Sequence, residues 1–441
     1  MELSNTLLDQ YRDAFSKDSK KRLVQLGVIR NGIVESAEKP EALMHNQPIF
    51  SVDLKTGKVP NQMHSGRCWL FAAMNILRDQ VAKTLHAEPI ELSQTYLYFY
   101  DKLEKANFFY ENIVNTADRP VDDRLVAFLL DRPADDGGQW DMVVSLIQKY
   151  GIVPQTVMPD MENSRATDDL NKYLKAKLRR DAQQLRRMVS TKASEQDIQN
   201  VRQHMLNEVY SFLAISLGTP PTEFDFEYRC QDGDYHRLPH LTGPDFYTRF
   251  GQIDLDEYVP VINAPMENKK YQQVYTVDCL GNVVGGKQVK YLNLEMTELK
   301  NLAINQLKRG EPVWFGCDIG QYTNRKLGIM SRDTYDIAGL FDIDYQLTKA
   351  DQLTYHHSLL THAMVLTGVD LVEEHPTKWK VLNSWGEEVG FKGYFVMSDD
   401  WMSQYVYQVV IRKDLLPDNL MAIYEQAPQV LSAWDPMGSL A

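Results

Sequence analysis

The chain has 441 residues, 44% of them apolar and 24% charged. That balance excludes disordered, collagenous and mini-protein classes, because this much apolar side chain can offset the entropy of ordering. The length has room for two or three domains or one large elaborated one, and a formal net charge of −13 repels phosphate backbones, so nucleic acid is not an expected partner.

The N-terminal run MELSNTLLDQYRDAFSKDSKKRL alternates charged and apolar residues as an amphipathic helix does and lacks the apolar core of a secretory signal. No run approaches the roughly 18 apolar residues of a membrane span, so no membrane partner is expected. From Gln62 to about Gln148 the spacing is helical: CWLFAAMNILRDQVAKTL and LSQTYLYFYDKLEKANFFYENI place apolar residues three and four apart. A helix is predicted to begin near Cys68. Residues 164–217 read as two more helices, polar and basic at first. Residues 222–295 change to short Tyr- and Val-rich runs broken by Asp-Gly, Gly-Pro, Gly-Asn and Gly-Gly, which are hairpin signals. After a helix near 297–309, strand-like runs follow at PVWFGCDI, THAMVLTGVDLV, KWKVLNSW and GYFVM, and their β-branched and aromatic content with intervening turns fits an antiparallel sheet. The fold class is therefore α+β, with the two ends of the chain forming one unit around an insertion.

Four cysteines, Cys68, Cys230, Cys279 and Cys317, are too sparse for a disulfide framework or a zinc site and point to a reducing, cytoplasmic setting. Cys68 stands apart. It lies at a helix start after a glycine and before an aromatic, where the dipole and free backbone N–H groups favour thiolate. Most unpaired cysteines are packed as small hydrophobes, and the other three are read so. What singles out Cys68 is its company: Gln62 six residues upstream, His362 on a strand-like run, and Asn383 a further 21 residues on. A thiolate needs an imidazole beside it, the imidazole needs a neighbour that fixes its ring and tautomer, and a side-chain amide N–H can stabilise an oxyanion.

With these residues in view, the sequence resembles the papain-like cysteine peptidases, and within them the bleomycin hydrolase and aminopeptidase C family. Ser65-Gly66-Arg67-Cys68-Trp69 stands where the papain type has Cys-Gly-Ser/Ala-Cys-Trp/Tyr. Glu91–Gln94, Asp101–Asn107, Gly137–Met142, Thr361–Met364, Asn383–Gly386 and the tail Ala433–Gly438 also look familial, so the resemblance spans essentially the whole chain. It implies Cys68 as nucleophile, His362 as general base and acid, Asn383 as the residue orienting it, Gln62 as oxyanion donor and Trp385 as a shield for the Asn–His hydrogen bond. It further implies that Gly137 and Gly138 let a substrate backbone approach, and that the Ala441 carboxylate, at the end of a C-terminal arm in the cleft, pairs with the substrate α-amine.

The implied architecture is papain-like: residues 1–160 carry an N-terminal extension and the helical half, 161–300 form a helical and β-rich insertion, and 301–441 form the β half and the arm. The implied activity is cysteine aminopeptidase action on peptide substrates through a thioester, with no metal or organic cofactor, in a ring-shaped homohexamer. An oligoendopeptidase of the same fold is the alternative. Other motifs carry less. Gly281 to Lys287 has phosphate-loop spacing, yet Gln288 stands where Ser or Thr belongs. His64 is poorly placed for a base, His356 and His357 lack metal-ligand companions, and the basic run Lys172–Arg187 reads as a solvated face or a subunit contact.

Overall fold

A computed structural model describes residues 1–440. Its N-terminal amphipathic run forms two helices, Asn5–Lys17 and Ser19–Asn31. The break falls at Asp18, which leaves helical backbone (φ −87°, ψ 98°) so that its carboxylate caps the second helix at Lys21 N. Neither helix buries a residue.

The helical half follows: Cys68–Leu85, Gln94–Asn115, Arg124–Asp131 and Trp140–Tyr150. Its starts are written locally. Ser93 accepts from Tyr96 N, and Asp123 accepts from Leu125 N and Val126 N. The Cys68 helix is buried on nearly every side, as a central helix apolar all round must be. Helices Asp168–Ser190 and Glu195–Leu217 pack against the Gln94–Asn115 helix. No basic side chain of the run Lys172–Arg187 is buried, though several are tied to the chain: Arg179 donates to the carbonyls of Leu130 and Asp131, Arg186 to those of Thr116 and Arg119, and Lys177 pairs with Asp181.

Among the described residues fourteen strands complete the fold: β1 (Val52–Asp53), β2 (Phe224–Arg229), β3 (Tyr235–Leu241), β4 (Tyr258–Ile262), β5 (Gln273–Val277), β6 (Tyr291–Asn293), β7 (Val313–Cys317), β8 (Thr323–Asn324), β9 (Ile329–Met330), β10 (His362–Val372), β11 (His375–Leu382), β12 (Tyr394–Ser398), β13 (Val406–Arg412) and β14 (Gln429–Leu431). β2 and β3 make a separate hairpin. The others form one sheet in the order β14-β5-β6-β4-β13-β7-β10-β11-β12-β9-β8, with β1 on β10. Most pairs are antiparallel; β4–β6, β5–β14 and β9–β12 are parallel. Thus β4 to β6, from the middle of the chain, extend the sheet of the C-terminal part through β13.

The central strands are buried on both faces, which explains their unbroken apolar runs. Trp314, Ala363, Val365 and Leu382 point to the helical half, packing with Trp69, Leu70 and Trp140. Val313, Phe315, Met364 and Leu366 point the other way, against Trp379, Trp401 and the Met296–Lys308 helix. The period of two sets both cores at once.

Candidate active site

The Cys68 helix begins without a side-chain cap, so its first backbone N–H groups remain available at the thiol. The loop before it is held from below. Arg67, fully buried, donates to Asp160 at 2.8 Å, to Thr95 at 3.2 Å and to Ser65 Oγ at 3.0 Å. Asp136 accepts from Gly66 N at 3.2 Å, from Tyr98 OH at 2.8 Å and from Lys102 Nζ at 2.6 Å, and its carbonyl accepts Trp69 Nε1 at 2.9 Å. Lys102 and the hydroxyls of Thr167 and Tyr98 hold the Asp136 carboxyl well below the usual range despite its burial.

The sheet presents the second component. Trp314 Nε1 on β7 donates to Trp69 O at 3.3 Å, and the backbone N–H of Ala363, next to His362 on β10, pulls the Cys68 thiol pKa down. His362 Nε2 lies 2.9 Å from Asn383 Oδ1. The same oxygen accepts Ser384 N at 2.8 Å, which fixes the amide with oxygen toward the ring. An oxygen can only accept, so Nε2 carries the ring proton and Nδ1 keeps its lone pair. Trp385 covers His362 with ring centroids 5.1 Å apart.

Gln62 reaches the site through a short antiparallel pairing of the loop before Cys68 with the Asn-Ser-Trp-Gly segment. Gln62 N donates to Ser384 O at 2.8 Å and Gly386 N to Pro60 O at 3.0 Å. Ser384 Oγ donates to Gln62 Oε1 at 2.6 Å, and Gln62 Nε2 donates to Ser65 O at 2.5 Å. With its oxygen occupied and one N–H spent on the loop, the amide retains one N–H for an oxyanion. Gly386 has φ +81°, and a Cβ there would stand 2.8 Å from Asn61 Nδ2, so this pairing needs glycine.

Burial outweighs the helix dipole in the resting site. Cys68 is 2% exposed and His362 4%. Burial pushes the Cys68 thiol up to about 11, against the pull of the N–H groups of Ala363, Trp69 and Cys68 itself. Burial also pushes the His362 imidazole down to about 4, against its bond to Asn383 and helped by the charge of Arg325. Burial thus works against the charged form of each group, while the backbone N–H groups at the helix start favour the thiolate.

Gly137 and Gly138 lie on the opposite wall. A Cβ on Gly138 would stand 2.6 Å from the Trp69 indole, so tight packing beside Cys68 demands glycine there; Gly137 O accepts Lys105 Nζ at 2.7 Å. The tail is docked between the walls. Asp435 pairs with Lys269 at 2.7 Å with both side chains buried, Tyr291 OH donates to Met437 O at 3.2 Å, and Met437 is buried. Gln139 Nε2 donates to Ser439 O at 2.5 Å, while Ser439 Oγ donates to Leu360 O at 2.7 Å. Ser439 thus bridges the residue after Gly138 and the residue two before His362. Ala441 lies outside the described residues.

Sequence reasoning passed over Ser384, Asp136, Arg67 and Lys102, although Ser384, Arg67 and Lys102 sat inside motifs singled out for other members. His64 is exposed and its backbone is paired with Arg165 and Thr167, away from the thiol. His356 and His357 are exposed, and among the described residues no cluster of three His, Cys, Asp or Glu could hold a metal. Lys287 is paired with Asp141 and Asp256, so the Gly281–Lys287 loop has its cation already engaged by carboxylates.

Residues 2–438 match the model of the Peptidase C1-like family. The chain is 47% identical to Aminopeptidase C of Lactococcus lactis subsp. cremoris over all of both chains. It is 40% identical to Aminopeptidase G of Lactobacillus delbrueckii subsp. lactis, over 99% of each. The crystal structure of pepw from Lactobacillus rhamnosis superposes with a TM-score of 0.97 at 51% identity, covering 100% of this chain and 99% of that one.

Proposed function

The chain belongs to the Peptidase C1-like family of cysteine-type peptidases, and from that membership we propose a cysteine aminopeptidase that releases N-terminal residues through a thioester formed on Cys68. His362 Nδ1 takes the thiol proton as Cys68 Sγ attacks the scissile carbonyl carbon, and the oxyanion is met by the remaining Gln62 N–H and the Cys68 backbone N–H. His362 then passes the proton to the leaving amine. Water, deprotonated by the same ring, cleaves the thioester and regenerates the thiol. Asn383 keeps the ring in its tautomer, Trp385 keeps water from that bond, and Gly137 gives the substrate backbone room while Gly138 lets this wall close on Trp69.

Proton transfer to the ring accompanies attack by the sulfur, so no free charge has to be carried in the buried site. The observation that carries exopeptidase action is the tail: Ser439 hydrogen-bonds to both walls of the cleft, so the chain end limits how far a peptide extends past Cys68. The Ala441 carboxylate is assigned the substrate's protonated α-amine, a charge-assisted contact of about 1.5–3 kcal/mol. With little on the arm to select among side chains, specificity is broad.

A homohexamer accounts for the N-terminal helices, whose Tyr11, Phe15, Leu23, Leu26 and Ile29 are exposed and would be covered by neighbouring subunits. The four unpaired cysteines fit a cytoplasmic site; among the described residues no helix is long and apolar enough to cross a membrane. The oligoendopeptidase reading is not favoured, since the curated relatives are aminopeptidases.

Mass-spectrometric digestion of one decapeptide tests the reading. A ladder losing residues from the N-terminus is expected, abolished by Cys68→Ala with folding intact; internal fragments, or turnover by Cys68→Ala above trace, refute it.

A further inference from the structure

The neighbourhood of Trp385 carries a cation that the scheme above does not use. Arg325 is exposed, and its guanidinium carbon stands 4.3 Å over the Trp385 ring, the same ring that covers His362. Its support is rigid. Arg325 sits in the tip joining β8 to β9, where Gly328 N donates to Asn324 O at 2.9 Å and Leu327 N to Asn324 Oδ1 at 3.0 Å. Gly328, at φ +68°, is closed against Gly390, where a Cβ would meet Gly390 Cα at 2.6 Å. β9 is locked onto β12 beyond it.

Stacking over a ring face engages the flat side of the guanidinium and leaves its in-plane N–H donors free for a planar anion. Among the described residues Arg325 pairs with no carboxylate. Glu387 and Glu388, the nearest acids along the chain from Trp385, line a separate depression with Lys58, Pro60 and Asn61.

The position on the reaction path follows from the proton's course. His362 hands its proton to the leaving amine, so the leaving peptide runs out on the His362–Trp385 side, away from Gly138 and the tail. We propose that Arg325 is a specificity-determining residue that binds a carboxylate on the leaving-group side of the scissile bond. This rests on the aminopeptidase reading of Cys68 and His362. The carboxylate has two sources, an acidic side chain after the scissile bond or the terminus of a very short peptide, and both present the same planar anion. Because the guanidinium is solvent-exposed, the preference is modest, about fivefold in kcat/KM.

The test uses initial rates of cleavage of the first peptide bond in two matched pairs, Ala-Glu-Ala-amide against Ala-Gln-Ala-amide, and Ala-Ala against Ala-Ala-amide, with the two alanines that Ala-Ala yields counted as one cleavage. The native enzyme should prefer the carboxylate member of at least one pair, and the pair that responds identifies the source. Arg325→Gln should bring that ratio to about one, and Arg325→Glu should invert it. Ratios unchanged in both variants overturn the proposal, as does an equal fall of both members, which would make Arg325 only a prop for Trp385. Failure of the native enzyme to release alanine from any of the four refutes the aminopeptidase reading itself, a result separate from any ratio.

Discussion

The tail's hold on the cleft can be released at one buried pair. Lys269 and Asp435 are almost completely shielded, with Nζ–Oδ2 at 2.7 Å, and Lys269 Nζ also lies 3.2 Å from Asn268 Oδ1. Lys269→Met removes the cation and leaves a carboxylate buried, at a cost of about 3–5 kcal/mol. Besides this pair the arm is held by three hydrogen bonds, Gln139 to Ser439, Ser439 to Leu360 and Tyr291 to Met437, at about 1 kcal/mol each, by the buried Met437 side chain, at about 1.5–3 kcal/mol, and by Ala433, Trp434 and Leu440, which pack on the core with Arg124 over the Trp434 ring. The hydrogen bonds and Met437 alone supply about 5 kcal/mol before the entropy of ordering the segment is subtracted. The loss falls on the arm's own docking and not on the two large cores, so the arm should loosen while the fold stays. The Lys269→Met enzyme is expected to hydrolyse N-acetylated peptides and to yield internal fragments from a decapeptide, and its C-terminus should be trimmed by carboxypeptidase. Lys269→Met with Asp435→Leu should restore much of the native behaviour, since an apolar pair of similar volume substitutes for a buried ion pair. Continued strict dependence on a free α-amine in Lys269→Met, with the tail demonstrably released, would refute the arm as the limit on the cleft.

Three further outcomes are expected. Gln62→Ala should lower kcat by about 10²- to 10³-fold with little change in KM; steady-state kinetics on an aminoacyl-arylamide measures it, and a change confined to KM would contradict the oxyanion role. Gly138→Ala should drive a methyl into the Trp69 indole, costing about 1–3 kcal/mol, seen as a lowered denaturation midpoint together with reduced turnover. For pH, the buried His362 titrates at about 4 in place of its ordinary 6.5, so between those values the unfolded chain binds a proton that the native state does not. Stability should be fully present above pH 6.5 and fall by about 3 kcal/mol as pH drops to 4. That slope should be absent in His362→Gln denaturation series, and the acid limb of kcat/KM should lie near pH 4.

Much of the site is legible in sequence because its members are bound to local signals. Cys68 is announced by the Gly66–Trp69 turn into an apolar helix, and His362 by the start of a doubly buried strand. Asn383 and Trp385 follow on the next strand's exit, and the strands of the β half read as apolar runs because both faces are buried. Asp18 shows the limit at close range: the charge pattern implies one amphipathic helix, but a carboxylate that can cap its own backbone splits it in two.

What tertiary structure alone decided are the long-range meetings and their electrostatics. Ser384 fixes the Gln62 amide across 322 residues of chain, and Gln139 grips Ser439 across 300; no periodicity encodes such partners. The joining of β4 to β13 likewise depends on which edge the packed sheet leaves open. The protonation of the pair was decided in the same way. A helix start by itself favours thiolate, whereas the packing of Cys68 and His362 between helical half and sheet, which only the tertiary structure supplies, pushes the thiol pKa up and the imidazole pKa down.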